Sequence, residues 1–326
     1  MYFLGFNWNP DDTLFKLGVL QIKYYNMLWI LAFVLGWYIM KRIFKNEGKS
    51  MEKLDSVFVY CVVSIMLGAR LGHVFFYDWD YYKNHLIEIL LPIRESSGEA
   101  LFGIINGYEF TGFTGLASHG AAIAGVIGLY LFSRKNKDMS VLWLLDRVTI
   151  TCAIGGAFVR LGNFFNSEIN GKIVDGTFAF AVRFIRDSDD MPSYKAMGLT
   201  KEKTVSAAYR ALETNPEFAT ALEAIPYRHP VQLYEAFGYL VVFLIMYFWM
   251  YWKTDLRKKE GFLFGFWLAT MWGPIRFILE YFKKSQGGFE ETWGTFTTGQ
   301  WLSIPFVLIG LYLMFRPAPT TAVAKR

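Results

Sequence analysis

Charged side chains and cysteines are scarce in this sequence of 326 residues. Asp, Glu, Lys and Arg make up 19% of the chain, whereas 54% is hydrophobic and 19% aromatic, which excludes an ordinary soluble protein and indicates a bilayer protein. The two cysteines, Cys61 and Cys152, lie in apolar runs without CxxC spacing, which excludes a disulfide scaffold and a thiolate metal site. The net charge of +5 is too small to indicate nucleic-acid binding.

Several functional signatures are also missing. The opening segment, 1–23, lacks the basic start, apolar centre and small-residue cleavage site of a signal peptide, so we expect no cleaved leader. No group of His, Asp and Glu residues has metal-ligand spacing, and no Gly-rich loop is typical of a nucleotide site. No repeat indicates the inverted halves of a transporter. We therefore expect no metal and no cofactor.

Seven apolar runs approach the length of a membrane span, since about 20 helical residues cross a hydrocarbon core of about 30 Å. The predicted spans are 25–44, 54–76, 115–132, 141–165, 231–252, 261–282 and 300–315, of which the third and seventh are short. Lys and Arg are concentrated in alternate connections, at 41–53, 134–137 and 253–259, and in the tail at 316–326. Because such basic connections stay in the cytoplasm, the N-terminus is predicted outside and the C-terminus inside.

Two connections on the predicted outside are too long to be turns. The first, 77–114, contains an apolar stretch at 85–93, which predicts a short surface helix, and then a Gly-rich irregular loop. The second, 166–228, contains a β-branched and aromatic stretch at 178–185, typical of a strand, and helix-forming residues at 200–222. The predicted fold is thus an all-α polytopic membrane protein with a small α/β subdomain outside. Its predicted parts are an outside segment at 1–24, four spans within 25–165, the subdomain at 166–228, three spans within 229–315 and a cytoplasmic tail at 316–326.

The predicted spans contain ionisable residues, which are costly in hydrocarbon and therefore functional candidates. Counting 1.5 Å per residue from the inner ends of the spans places Arg70 about 24 Å up, Arg160 about 28 Å, Arg276 about 22 Å and Glu280 about 28 Å. His119 lies about 6 Å below the outer surface. Four predicted helices therefore bring titratable groups to the same outer third of the membrane.

Each of these residues also has a purely structural interpretation. Arg276 and Glu280, four residues apart, could pair within one helix; Arg70 could extend to the outer surface; and His119 could be a structural histidine. Arginines match phosphate oxygens, and the nearest abundant phosphate is a lipid head group. A histidine can remove a proton from a nucleophile, so the group permits transfer of a lipid-derived group. A transporter of anions or lipids that uses the same arginines, and a non-catalytic lipid-binding scaffold, are the alternatives.

The segment from Arg160 to Gly171, RLGNFFNSEING, resembles the signature of phosphatidylglycerol–prolipoprotein diacylglyceryl transferases, membrane enzymes that begin bacterial lipoprotein maturation. The resemblance extends in order and spacing over nearly the whole chain. The other matching stretches are Tyr25, 68–72, 118–120, 228–235, 276–280 and 299–305.

The resemblance implies a multi-pass enzyme of the bacterial inner membrane with its active site toward the outer leaflet. It implies transfer of the diacylglyceryl group of phosphatidylglycerol to the lipobox cysteine of a prolipoprotein, which forms a thioether and releases glycerol 1-phosphate. By position, it implies that His119 is the general base and that Arg160 and Arg276 bind the phosphate and are required for catalysis. The further residues expected to contact substrate are Tyr25, Arg70, Asn163, Glu168, Gly171 and Glu280.

The sequence departs from the family pattern at four positions. Ala121 replaces the second glycine after the histidine, Val159 the glycine before the signature arginine, and Ser167 the glycine before the signature glutamate. Trp272 replaces a tyrosine four residues before Arg276, which removes a hydroxyl group from that position.

Overall fold

A computed structural model describes residues 5–11, 13–17, 20–91, 93–96, 107–110, 115, 117–284 and 296–317. The described chain is mostly helical, with three small two-stranded sheets. In chain order, the strands and helices are β1 (Phe6–Trp8), β2 (Thr13–Leu17), β3 (Leu20–Lys23), α1 (Tyr24–Asn46), α2 (Met51–Tyr77), α3 (Trp79–Tyr82), β4 (Ile93–Glu95), β5 (Tyr108–Phe110), α4 (Ser118–Lys135), α5 (Val141–Phe165), β6 (Val182–Phe184), α6 (Ser193–Thr200), α7 (Val205–Thr214), α8 (Ala219–Glu223), α9 (Val231–Leu244), α10 (Phe262–Thr270) and α11 (Thr298–Phe315).

Six helical segments in the described residues are long and apolar enough to cross a membrane. They are α1, α2, α5, α9 with its continuation to Tyr251, α10 with its continuation to Phe282, and α11. α5 begins and ends at the predicted residues. The two continuations contain π-helical turns, Ile245–Tyr251 and Met271–Phe277, which the apolar pattern did not indicate. Pro274, which lacks a backbone N–H, lies within the second.

The predicted third span is helix α4, which is less apolar than the other six. Its 18 residues begin with Ser-His-Gly and end with Arg134 and Lys135. The polar residues at both ends leave a shorter apolar centre than a bilayer core requires. The described structure therefore supports six spans, and the count of seven and the orientation stay predictions.

The chain divides into two compact units, which are Met40–Leu145 and the combination of Met1–Ile39 with Asp146–Arg326. Within Met40–Leu145, α2 and α4 pack closely through glycines. A Cβ atom on Gly72 would lie 2.9 Å from the Cα of Gly120, and the Gly68 and Gly120 backbones are in still closer contact. Small residues of this kind let helix backbones approach within a membrane.

In the same unit, the predicted surface helix at 85–93 is a single 3₁₀ turn, Leu86–Ile89, followed by strand β4. β4 pairs antiparallel with β5, a hairpin that the sequence pattern did not indicate. Most of the predicted Gly-rich loop lies outside the described residues.

The unit formed by Met1–Ile39 and Asp146–Arg326 contains the residues that follow α5, which form one short strand and several short helices, while a separate subdomain at 166–228 stays a prediction. The strand predicted at 178–185 is shortened to β6, because hydrogen bonds from Phe178 to Asp175 and from Ala181 to Phe178 make turns before it. β6 pairs in parallel with β1 of the N-terminal segment, a partner that the sequence did not reveal. The predicted helical region at 200–222 is α7, a 3₁₀ turn and α8. These helices bury a core of their own, made of Ile185, Met191, Ala196, Ala208, Tyr209, Leu212 and Ile225.

Candidate active site

A chain of side-chain hydrogen bonds begins at Arg160 near the end of α5. The Arg160 guanidinium donates through Nη1 to Asn163 Oδ1 at 3.2 Å, and Asn163 Nδ2 donates to Glu168 Oε1 at 2.7 Å. Glu168 comes back toward the helix because the residues on either side of it, Ser167 and Ile169, have positive φ angles of 55° and 60°. Such angles are uncommon outside glycine. The tight loop therefore connects the signature arginine and the signature glutamate.

Glu235, on the second turn of α9, holds Arg160 from the other side. Its carboxylate has no exposure to solvent and forms two ion pairs, with Arg160 Nε at 2.6 Å and with Lys283 Nζ at 2.7 Å. A buried charge is costly unless it is paired, so these three groups depend on one another. Lys283 also approaches Glu280 Oε2, at 3.8 Å.

Lys283 lies directly after the last residue of the α10 span. A backbone bridge to Gly171 holds it near Glu235 and Glu280. Burial lowers the pKa of the Lys283 ammonium group, repulsion from Arg276 and Arg160 acts in the same direction, and the Glu235 carboxylate opposes both. The region is thus rich in positive charge, and one fully buried carboxylate partly neutralises it.

Arg276 lies on the π-helical turn and is half buried. Its Nε atom is buried and has no hydrogen-bond partner among the residues that the structure describes, and its guanidinium carbon lies 5.6 Å from the centre of the Trp272 ring. No ion pair joins Arg276 to Glu280 in the described chain, so the alternative of an intrahelical pair is not observed. An arginine with an unused buried donor can bind an anion.

Glu280 is buried against the first turn of α11. A Cβ atom on Gly299 would lie 2.5 Å from Glu280 Oε1, so a larger residue at that position would displace the carboxylate. The positive end of the α11 dipole favours a carboxylate there. Gln300, which completes the capping box of α11, also donates to the Phe277 carbonyl at 3.1 Å and so fixes α11 against the segment that carries Arg276.

Gly171 and Tyr25 serve packing in this site. A Cβ atom on Gly171 would lie 2.6 Å from the His229 carbonyl oxygen and 2.8 Å from that of Phe282, so that no larger residue fits. The ring of Tyr25, at the start of α1, packs on Gly162 of α5, where a Cβ atom would lie 2.6 Å from the ring. Tyr25 therefore packs on the turn of α5 that carries Arg160 and Asn163.

Arg70 and His119 belong to the other unit, Met40–Leu145. Arg70 is buried and donates to the carbonyl oxygens of Glu88 at 2.6 Å and Ile89 at 2.9 Å, and its guanidinium lies over the Tyr82 ring. These contacts fix the 3₁₀ turn and account for the burial of Arg70 without a substrate. His119 is the second residue of α4 and is exposed. A common chamber for both residues and Arg160 stays a prediction.

Comparison with known proteins places the chain in a family. The sequence model of the family described as prolipoprotein diacylglyceryl transferase matches residues 12–316. The chain belongs to this family. Among curated relatives, a protein of Bacteroides fragilis is 35% identical over 96% of this chain and 95% of its own length, and one of Tolumonas auensis is 35% identical over 97% and 98%. A relative from Chloroherpeton thalassium is 34% identical over 98% of this chain and 96% of its own length. All three relatives are named phosphatidylglycerol–prolipoprotein diacylglyceryl transferase, and membership of this family makes the chain a transferase.

Two charged residues of this transferase cluster were not among the predicted site residues. Glu235 was noted only as the end of a matching stretch, although it lies four residues into the predicted fifth span, about 6 Å from the end. The depth arithmetic applied to the arginines would have found it. Lys283 was counted among the charges of a connection, and no sequence signal predicts the bridge to Gly171 that turns it inward.

The transferase also contains a His/Glu group that spacing did not predict. Ligand atoms of His85, Glu88 and Glu95 lie within 4.8 Å of one another. The Glu88 carboxylate already accepts from the Tyr81 hydroxyl at 2.8 Å and the Glu95 N–H at 2.7 Å. The expectation of no metal, made from spacing along the sequence, stays a prediction, and both carboxylate oxygens of Glu88 already accept hydrogen bonds from the protein.

Proposed function

We propose that this transferase moves the diacylglyceryl group of phosphatidylglycerol to the lipobox cysteine thiol of a prolipoprotein, with release of glycerol 1-phosphate. The family and the names of its relatives support the two substrates. The observation that carries the chemistry is the buried cluster of Arg160, Glu235, Lys283 and Glu280, which lies beside Arg276 with its unused donor.

The reaction requires a nucleophile and a stabilised leaving group. A free thiol, with a pKa of about 8.5, reacts as its thiolate, so a base must take the proton. His119, exposed at the start of α4, is the proposed base. The sulfur then attacks the carbon of the diacylglyceryl group that bears the phosphate oxygen. A carbon–sulfur bond forms as the bond from that carbon to the phosphate oxygen breaks. Glycerol 1-phosphate leaves with the electron pair.

Arg160 and Arg276 are the proposed partners of the phosphate. Glu235 and Asn163 hold Arg160 Nε and Nη1, so its orientation is set before a lipid arrives. Preorganised cationic donors stabilise developing negative charge better than mobile water does. Glu168, which holds Asn163, acts on the phosphate through Arg160. Glu280 and Tyr25 position the segments around it.

The membrane arrangement completes the proposal. We place the N-terminus outside, α4 as a seventh span, and the cluster toward the outer leaflet of the bacterial inner membrane, as the basic connections indicate. A transporter would need polar sites along a path through the membrane. The buried charges at the other end of α5 have structural partners instead, since Asp146 accepts hydrogen bonds from the backbone of Gly261 and Phe264.

The test is a transfer assay with purified protein, labelled phosphatidylglycerol and a lipobox peptide, in which lipid transfer and glycerol 1-phosphate are both measured. Arg160→Ala and Arg276→Ala are each expected to slow transfer at least about 30-fold, equivalent to about 2 kcal/mol of transition-state stabilisation. His119→Gln is expected to abolish transfer while the protein still inserts.

Arg134→Ala, at an exposed arginine of α4, is the matched control and should retain activity. Unchanged rates in both arginine variants would reject the phosphate site. Full activity of His119→Gln would assign proton removal to another group. Transport of the lipid or of an anion without glycerol 1-phosphate release would favour the transporter.

A further inference from the structure

A cavity of about 710 Å³ lies next to the signature loop, within the unit that contains the Arg160 cluster. Its volume falls within the range of about 300–1,000 Å³ typical of pockets that enclose a ligand. The N-terminal segment, the loop after α5 and the region from Arg186 to Tyr209 form its walls. Asn166, Ser167 and Glu168 of the signature loop are part of the lining.

Ser167 is the lining residue that points most directly to a ligand. It is 3% exposed, and its buried Oγ has no hydrogen-bond partner among the described residues. A buried hydroxyl without a hydrogen-bond partner is unfavourable, because folding removes it from water without replacing the lost hydrogen bond. Its φ of 55° is one that glycine adopts more easily than other residues. This chain thus keeps a hydroxyl in an unfavourable conformation, where a bound polar group would satisfy it.

The charges around the cavity are balanced, which argues against a phosphate. Lys23 and Arg186 oppose Asp11 and Glu168. Arg186 is already engaged, because its Nε donates to Asn9 Oδ1 at 2.7 Å and its guanidinium lies over the Tyr209 ring. The rest of the lining is rich in hydroxyl groups, among them those of Ser188, Ser193, Thr204 and Ser206. Such a lining suits a neutral ligand with many hydrogen-bonding groups, as in an extended polypeptide.

The cavity is connected to the phosphate site through one side chain. Glu168 lines the cavity and accepts from Asn163, which in turn accepts from Arg160. A peptide whose cysteine reacts beside Arg160 continues beyond that cysteine at about 3.3–3.6 Å per extended residue. Its next few residues are therefore close enough to enter the cavity.

We infer that this cavity binds the polar residues that follow the acceptor cysteine of the preprotein, and that Ser167 donates or accepts one of the hydrogen bonds. The inference rests on the proposed function, which supplies the preprotein. It assigns recognition of the mature part of the substrate to the region after α5, apart from the groups that bind phosphate.

Two synthetic peptides test it, one ending at the lipobox cysteine as an amide and one extended by five polar residues. Equilibrium binding to the full-length protein without phosphatidylglycerol, and KM and kcat with it, are both measured. The extended peptide is expected to bind about tenfold more tightly, as one or two hydrogen bonds would provide. Ser193→Trp, which fills the exposed rim of the cavity, should remove this difference and leave the KM for phosphatidylglycerol unchanged.

Leu199→Trp places the same indole side chain on α6 at an exposed position outside the lining and should retain the difference. Ser167→Ala, which keeps the Cβ atom, should weaken binding of the extended peptide only. Equal binding of the two peptides to the unmodified protein overturns the inference. A Ser193→Trp variant that changes only the KM for phosphatidylglycerol would also overturn the inference, because the cavity would then be assigned to the lipid head group. Absence of transfer with both peptides, together with the binding difference, would contradict the proposed reaction and leave the docking site standing.

Discussion

At the scale of single residues, the charges around Arg160 are coupled through one carboxylate. Glu235 contacts both Arg160 and Lys283, and none of its surface reaches solvent. A buried ion pair gives little net stability because desolvation opposes the attraction, yet removal of one partner leaves an uncompensated charge. Such a group suits a site that must keep cations in a fixed position for an anionic substrate.

Replacing Glu235 by Gln should therefore disturb both the site and the fold. We expect destabilisation of about 3–5 kcal/mol, the usual cost of breaking a buried pair, together with a large loss of kcat. Thermal unfolding in nanodiscs and the transfer assay measure the two effects. Because Glu235 acts through Arg160, Glu235→Asp should recover part of kcat.

Glu223→Gln, at an exposed carboxylate of α8, is the control and should change neither quantity. If Glu235→Gln matched the control in stability and in kcat, Glu235 would have no role in holding the cations.

At the scale of elements, short polar contacts set where the helices begin and meet. Asp146 of α5 is fully buried and accepts from the backbone N–H groups of Gly261 at 2.7 Å and Phe264 at 2.8 Å, which caps the start of α10. Its neighbour Arg147 donates to the Arg257 carbonyl oxygen at 3.0 Å and fixes the preceding connection. The helix that carries Arg276 is therefore anchored at the end away from the site.

Asp146→Ala should destabilise the protein by at least about 2 kcal/mol, because two backbone donors lose their acceptor and the buried Arg147 guanidinium loses the carboxylate 3.5 Å away. We expect the KM values to stay unchanged, since the cap lies at the opposite end of α10 from Arg276. Chemical or thermal unfolding with substrate kinetics provides the measurement.

Asp255→Ala removes an exposed pair with Lys258 in the same connection and should have almost no effect, as surface pairs contribute little. Equal unfolding midpoints for the two variants would show that the cap does not stabilise α10.

At the scale of the whole molecule, the basic connections predict how the helices are oriented in the membrane. The proposed orientation puts α6 outside and the connection at 253–259 inside. Tyr194, an exposed residue of α6, and Lys253, an exposed residue of that connection, are suitable reporters.

Tyr194→Cys should react with a membrane-impermeant maleimide in intact cells, and Lys253→Cys should react only after the membrane is opened. Both are made with Cys61→Ser and Cys152→Ser to remove background labelling. The reverse pattern would invert the orientation and place the Arg160 cluster on the cytoplasmic side.

Much of the helical organisation was predictable because apolar length is a local property of the chain. α5 begins and ends as predicted, and the other candidate spans differ from their predictions by a few residues at the ends. Strand β1 was not predicted, because it pairs with β6, which lies more than 170 residues away in the sequence. The π-helical turns were not predicted either, because an apolar run has the same composition in an α-helix and in a π-helix.

The sequence alone determined that this is a membrane protein, which segments are candidate spans, and that Arg160, Arg276 and Glu280 are charged residues within those spans. Those properties depend on composition and spacing along one segment. The tertiary structure decided which groups pair. Helix α9 positions Glu235 beside Arg160, and the backbone bridge to Gly171 positions Lys283 beside Glu235. Such contacts join elements that are far apart in the sequence, so the pattern of a single element does not predict them.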